Sequence, residues 1–297
     1  MSTPGEVWRI HALMLLNSLL ISTSFIVSKA IAAGLDPAIL TLLRFSLASL
    51  LFLPLIIWKH GLRLPNKKQF LGYACISFTL TAFFWLMYLS LRSTTALNTG
   101  IIFTSVPSLS GLYSAVLLHE RLGKHRLLAM LPAAFGAIWV LFHGSMERLL
   151  AFSLYPGDLL FFLSCLIMAF YTPLIKFFHR EEPMQIMTFW ILVTGTGWLL
   201  LFAGYRLPSV AWQAIDPIVW AGTAYLAVFC TIISFFISQY CTIRIGPTRV
   251  MAYSYLYPPF ILFVEWICRH PLPSAKILPG IVLIVVAMFI VQSGVQK

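Results

Sequence analysis

Charge is what this sequence has least of. Of 297 residues only 10% are Asp, Glu, Lys or Arg, against about 25% in a soluble domain. Acids are scarcest, 9 against 20 Lys and Arg. With 60% hydrophobic residues, this composition excludes an aqueous globular domain and describes an all-α integral membrane protein. Catalytic signatures are missing as well. There is no H-E-x-x-H, G-x-S-x-G, Walker A or glycine-rich dinucleotide motif, and no carboxylate pair of the membrane aspartyl protease kind. An ATP-driven pump would need a nucleotide domain, and the loops are too short for one. The chain is therefore read as neither an enzyme nor the holder of a cofactor. The 5 cysteines (Cys75, Cys165, Cys230, Cys241, Cys268) are scattered through apolar runs without C-x-x-C or zinc spacing. They read as small membrane-core residues, with no metal implied. No N-x-S/T sequon occurs. The net charge of +11 would suggest nucleic acid in a soluble protein. Here it is assigned to basic cytoplasmic loops, and no nucleic-acid partner is expected.

What is there is a succession of apolar runs. Hydropathy gives ten candidate spans at about 9–31, 37–58, 69–91, 95–118, 125–143, 157–178, 184–205, 217–243, 247–268 and 276–295, each near the roughly 20 residues that cross a bilayer as helix. The first run is longer than a signal-peptide core and reads as an uncleaved helix. Pro37, Pro183, Pro217 and Pro247 fall near span starts, where a missing N–H costs nothing. Lys and Arg in the loops set the orientation. With the N-terminus in the cytoplasm, 13 lie inside and 6 outside, and Arg44 falls within the second span. Both termini are thus expected in the cytoplasm.

A weak internal repeat accompanies the spans. Val106-Pro107-Ser108 corresponds to Tyr257-Pro258-Pro259 at an offset of 151. At the same offset Ala129 meets Gly280 and Gly136 meets Ala287; near an offset of 147 Lys29 meets Lys176. Five spans per copy is an odd number, so the second copy enters the membrane inverted, an arrangement that places substrate near the midplane between copies.

The chain is organised around Thr81–Leu122. Two apolar runs flank the joint Arg92–Thr95, and the second carries Pro107 at mid-span and ends in His119-Glu120-Arg121. A proline at that depth frees a carbonyl one turn earlier and survives only where protein or a wet cavity satisfies it. The pattern F-W-x-x-Y-L-S-L-R-S-T-T-A, then S-V-P-S-L, then L-L-H-E-R-L resembles the first repeat of the EamA-type transporters of the drug/metabolite transporter superfamily. The family writes the last piece with glycine where His119 stands. The second repeat matches less well, with Cys268-Arg269-His270-Pro271 where the glutamate motif often recurs. The resemblance implies ten transmembrane helices as two inverted five-helix repeats, 1–147 and 148–297. It implies a secondary transporter of the bacterial inner membrane that moves amino acids or related small metabolites, with export expected, by alternating access. By family analogy helices one, three, four, six, eight and nine line the cavity.

Candidate residues follow from placement. Helix four has a small-residue face of Gly100, Thr104, Ser108, Gly111 and Ala115, suited to close packing; the functional version turns Asn98, Thr104 and Ser108 toward the cavity. Helix three aligns Trp85, Tyr88 and Arg92, and helix nine aligns Arg249, Tyr253 and Tyr257. Aromatic rings with polar tips suit a solute cavity or an interfacial belt. Gln239 joins the cavity set. Pro107 and Pro258 are the expected helix kinks. Arg44 lies about two turns into helix two, where the family commonly has this arginine; it either anchors the helix through carbonyls or attracts a carboxylate or phosphate. Lys29 and Lys176 lie near opposite faces and can snorkel. Glu265 is the candidate proton site, and Glu120 is expected to cap helix four and pair with Arg121, Lys124 or Arg126. The partners implied are a small-molecule solute and the bilayer, driven by proton antiport or by passive flux; the scarcity of buried acids favours passive flux. The rivals are a transporter of cationic drugs, a transporter of phosphorylated or nucleotide-linked solutes, and a membrane scaffold without transport.

Overall fold

Apolar side chains dominate every long segment, so the backbone must satisfy its own polar groups, and helix is the form that does so within one segment. The computed structural model describes residues 4–119, 124–151, 154–180, 182–245, 247–268 and 274–293, among which no strand occurs. The helices are α1 (Pro4–Ile31), α2 (Pro37–His60), α3 (Lys67–Leu91), α4 (Ala96–Phe103), α5 (Val106–Leu117), α6 (Lys124–Leu141), α7 (Met146–Leu150), α8 (Pro156–Met168), α9 (Tyr171–Phe178), α10 (Met184–Ala203), α11 (Pro217–Ala227), α12 (Ser234–Ile245), α13 (Pro247–Ala252), α14 (Tyr257–Ile267) and α15 (Leu278–Ser293). Eight helical stretches among the described residues are long and apolar enough to cross a membrane, and Leu131–Leu141 and Ala275–Val291 are shorter apolar helices. These two fall in the intervals expected for the fifth and tenth spans. The chain is an all-α, multi-pass membrane protein.

Helix starts use polar caps. The Asp36 carboxylate accepts from the amides of Ala38 and Ile39, and Asn66 forms a reciprocal capping box with Gln69. The Thr95 hydroxyl caps α4 and the Asp216 carboxylate caps α11. Each satisfies amides that the first turn leaves free.

Prolines interrupt the long segments internally. Pro107 and Pro258 each stand in the first turn of a second helix, α5 and α14. The segment before α14 winds as a 3-10 turn, Tyr253–Leu256, so the Tyr257 amide bonds to the Ser254 carbonyl, the one that Pro258 has no amide to reach. The Ser18 hydroxyl of α1, fully buried, donates to the Tyr253 carbonyl at 3.1 Å. At the matching break between α4 and α5 the Thr104 and Ser105 hydroxyls donate to the carbonyls of Ile101 and Ile102. Between α11 and α12 the chain takes a π-helical turn, Val228–Ile233.

The helices pack in definite pairs: α6 with α15, α2 with α10, α4 with α14, α3 with α8, α1 with α12, α3 with α10, α2 with α11, α1 with α14, and α4 with α8. Glycines set the closest approaches. A Cβ on Gly136 of α6 would lie 2.5 Å from the Gly280 carbonyl oxygen of α15, and one on Gly100 of α4 would lie 2.2 Å from Ile261 Cδ1 of α14. Lipid is as apolar as these side chains, so such packing depends on contact rather than on expelling water.

Candidate functional site

Where α1, α3, the end of α4, α8 and α14 converge, six aromatic rings meet, and Phe45 of α2 joins them through Phe84. Phe25 contacts Phe103, Phe161 and Tyr257 at centroid distances of 5.8, 6.2 and 6.1 Å. Phe103 contacts Tyr257 at 5.7 Å, and Phe83 contacts Phe84, Phe103 and Phe161 at 5.1, 5.8 and 6.0 Å. Most pairs are edge-on or tilted, the arrangement that ring quadrupoles favour. Phe103 is the last residue of α4 and Tyr257 the first of α14, so two members sit at the proline breaks.

Arg44 borders this cluster. It is 2% exposed, its guanidinium lies 4.3 Å from the centre of the Phe84 ring, and Nε donates to Thr231 Oγ1 at 3.2 Å. Thr231 belongs to the π-helical turn and passes its own proton to the Leu226 carbonyl at 2.9 Å. A cation–π contact and one hydrogen bond lower the cost of a cation at this depth.

The expected site residues go to different places. Tyr257 joins the aromatic cluster; Tyr88 is buried in the hydrophobic core around it. Trp85, 45% exposed, faces away from that core while Tyr88 is 1% exposed. Tyr253 lies in a separate small core with Ile10, Met14 and Cys241, its hydroxyl bonded to His11 Nδ1. The Thr104 hydroxyl is spent on its own helix, and Ser108 is half-buried in α5. Lys29 Nζ donates to the Leu91 carbonyl at 2.6 Å, capping the end of α3, and Lys176 is exposed on α9. Glu265 is half-buried on α14. The side chains of Gln239, Lys124 and Arg126, and the residues Glu120 and Arg121, lie outside the described residues, as does Arg269-His270-Pro271.

Asn98 leads to a residue that sequence reasoning missed. Its Nδ2 donates to both carboxylate oxygens of Asp158 at 3.1 Å. Asp158 is 1% exposed; it also accepts from the Thr94 hydroxyl and, at 3.0 Å, from the Tyr155 amide. Asp158 thus joins Glu265 as an acid within the later spans. Tyr155-Pro156-Gly157-Asp158 opens α8, with the aspartate in its first turn. The closeness of α3 buries it: a Cβ on Gly157 would lie 2.4 Å from the Ser90 carbonyl oxygen. That glycine, beside an acid at a span entrance, is the signal that could have found it. The carboxylate ties α8 to α4 and to the joint before it.

Comparison with known proteins places this architecture. The family described as the EamA-like transporter family matches residues 8–142 and 155–293. An "Uncharacterized transporter" of Archaeoglobus fulgidus is 25% identical over 268 residues, covering 89% of this chain and 90% of the relative. The "Uncharacterized transporter YyaM" of Bacillus subtilis is 22% identical over 290 residues, covering 97% and 94%. One solved crystal structure superposes with a TM-score of 0.67 at 18% identity, covering 94% of each chain, a likeness of fold alone.

Proposed function

The chain belongs to the EamA-like transporter family, and from that premise we propose that it is a secondary transporter of the bacterial inner membrane, exporting amino acids or related small metabolites by alternating access. The two repeats, 1–147 and 148–297, rock about the aromatic cluster. The family match in two stretches, 8–142 and 155–293, supports this division. So does the packing. Numbering the expected spans one to ten, exchange of each with the span five places on leaves the pairs two–seven, four–nine and five–ten unchanged. The same exchange turns three–six into eight–one, three–seven into eight–two, and one–nine into six–four, and helices of all these spans pack together. Inverted copies produce such pairing.

The observation that carries the proposal is the aromatic cluster seated on the paired proline breaks. Phe103 and Tyr257 end and begin half-helices from opposite repeats. Their rings touch each other and Phe25, so tilting either repeat opens or closes the middle of the protein. A phosphorylated solute is less well served. Lys29 is held by the Leu91 carbonyl, Lys176 is exposed, and Arg44 stands apart from both beside Thr231 and Phe84. A cationic drug would need a free buried carboxylate, and that of Asp158 is occupied by Thr94, Asn98 and Tyr155.

Solute flux in proteoliposomes tests the proposal, using a labelled amino-acid pool with and without an imposed pH gradient. Counterflow without the gradient is the result expected of a passive carrier, and flux only with it that of a proton-coupled one. Absence of flux for every member, with insertion confirmed, refutes the substrate assignment.

A further inference from the structure

Two buried polar atoms, one on α2 and one on α3, are left unsatisfied where these two helices meet. One is Arg44 Nη1, which has no hydrogen-bond partner. Among the described residues no carboxylate stands within ion-pair distance of Arg44. The other is Thr81 Oγ1, also without a partner, on a residue only 6% exposed. A hydroxyl inside a helix ordinarily returns its proton to a carbonyl one turn back, as Thr41, Ser49 and Thr194 do here. Thr81 does not. It lies three residues before Phe84, so the two share one face of α3, and the Arg44 guanidinium lies over the Phe84 ring. Gly195 of α10 closes the seam: a Cβ there would be 3.1 Å from Thr81 Oγ1 and 3.0 Å from the Phe45 ring.

We propose that Arg44 and Thr81 form the subsite for the carboxylate of the transported solute, a proposal that rests on the transport reading above. The Nη1 donor supplies a charge-assisted hydrogen bond and the threonine hydroxyl a neutral one. An arginine with Nε already engaged keeps its outer edge for a carboxylate, whose planar oxygens match guanidinium geometry. Charge balance selects the class. One buried cation neutralises one negative charge, so a monocarboxylate fits and a phosphate dianion would bury a surplus charge. The neighbours select the rest of the molecule. Phe84 meets Phe45 edge-on at 5.5 Å and Phe83 edge-on at 5.1 Å, and Phe83 leads on to Phe103 at 5.8 Å. A solute held by its acid group extends an apolar or aromatic body into that cluster.

The test is equilibrium binding to the full-length protein in detergent, with L-phenylalanine, 3-phenylpropionate, their two primary amides, and phenyl phosphate. Both acids are expected to bind about tenfold to a hundredfold more tightly than the matching amides, the equivalent of one hydrogen bond to a charged group. Arg44→Gln is expected to erase the preference for acid over amide. Thr81→Val, nearly isosteric and suited to an apolar seam, is expected to weaken the acids several-fold while leaving the amides unchanged, and it serves alone if the arginine variant does not fold. Amides that bind as well as the acids, no binding by any of the five, tighter binding of phenyl phosphate, or an acid preference that survives Arg44→Gln would each overturn the proposal. The transport reading fails separately. Flux without acid preference retains transport and removes the subsite; acid-selective binding without flux of any solute does the reverse.

Discussion

Replacing Asp158 isolates the joint between α8 and α4. The carboxylate is 1% exposed and receives the Thr94 hydroxyl, the Asn98 amide on both oxygens, and the Tyr155 backbone amide. Asp158→Ala leaves three donors without an acceptor. A buried donor left unsatisfied costs about 1–3 kcal/mol, but polar groups in membrane helices find substitutes, and measured pairs there average only about 0.6 kcal/mol. Between these bounds the expected loss is about 2–4 kcal/mol. Asp158→Asn keeps one oxygen and turns an NH2 toward the Asn98 amide. The Asn98 Oδ1 atom is buried without a partner, so a flip of that amide offers an acceptor, and the expected loss falls to about 1–2 kcal/mol. Reversible unfolding in mixed micelles, run as a cycle with Asn98→Ala, measures the pairing. A coupling of about 1 kcal/mol or more is expected for groups sharing a network. Additive effects within about 0.3 kcal/mol, or an alanine variant as stable as the parent, would refute the reasoning that this carboxylate holds the two helices together.

Tyr257→Ala and Phe103→Ala are each expected to lower proteoliposome flux about tenfold or more without lowering membrane yield, a single-site loss equivalent to about 1.4 kcal/mol, whereas Trp85→Ala, on a half-exposed side chain, should lower it less. Equal effects of all three would remove the cluster from the transport path. Gly136→Ala pushes a Cβ to 2.5 Å from the Gly280 carbonyl oxygen and should destabilise by about 1–3 kcal/mol; Gly197→Ala, with nothing within 4 Å, should be neutral or slightly stabilising in the same thermal assay. His143 lies in the turn after α6. Burial, then the Arg148 charge, lowers its pKa from the ordinary 6.5, with Asp158 opposing. The folded state thus prefers the neutral ring, and stability present above pH 6.5 is lost as pH falls through the lowered value. His143→Gln should flatten that acid limb of the melting profile, and an unchanged limb would exclude this ring as its source.

Much of the architecture was legible in one dimension. Scarce charge and long apolar runs require helices that satisfy their own backbones in a bilayer, and the prolines at 107 and 258 mark where those helices break, because proline brings no amide to the ladder. These are local properties of the chain. Spacing along a helix also suggested that Trp85 and Tyr88 would act together. Their environments differ because burial depends on which neighbouring helix arrives at each position, and helical spacing contains no information about neighbours. Asp158 is buried because Gly157 lets α8 approach the end of α3, and nothing local to the chain announces that approach. Arg44 could have been bonded to any carbonyl. Only the folded chain placed it on Phe84 and Thr231 with Nη1 left open, and only the folded chain joined Phe25, Phe83, Phe84, Phe103, Phe161 and Tyr257 into one cluster. Sequence fixes which groups must avoid lipid or water. Tertiary packing decides which of them meet, since contact between residues more than a hundred positions apart is set by the joint fit of all the helices.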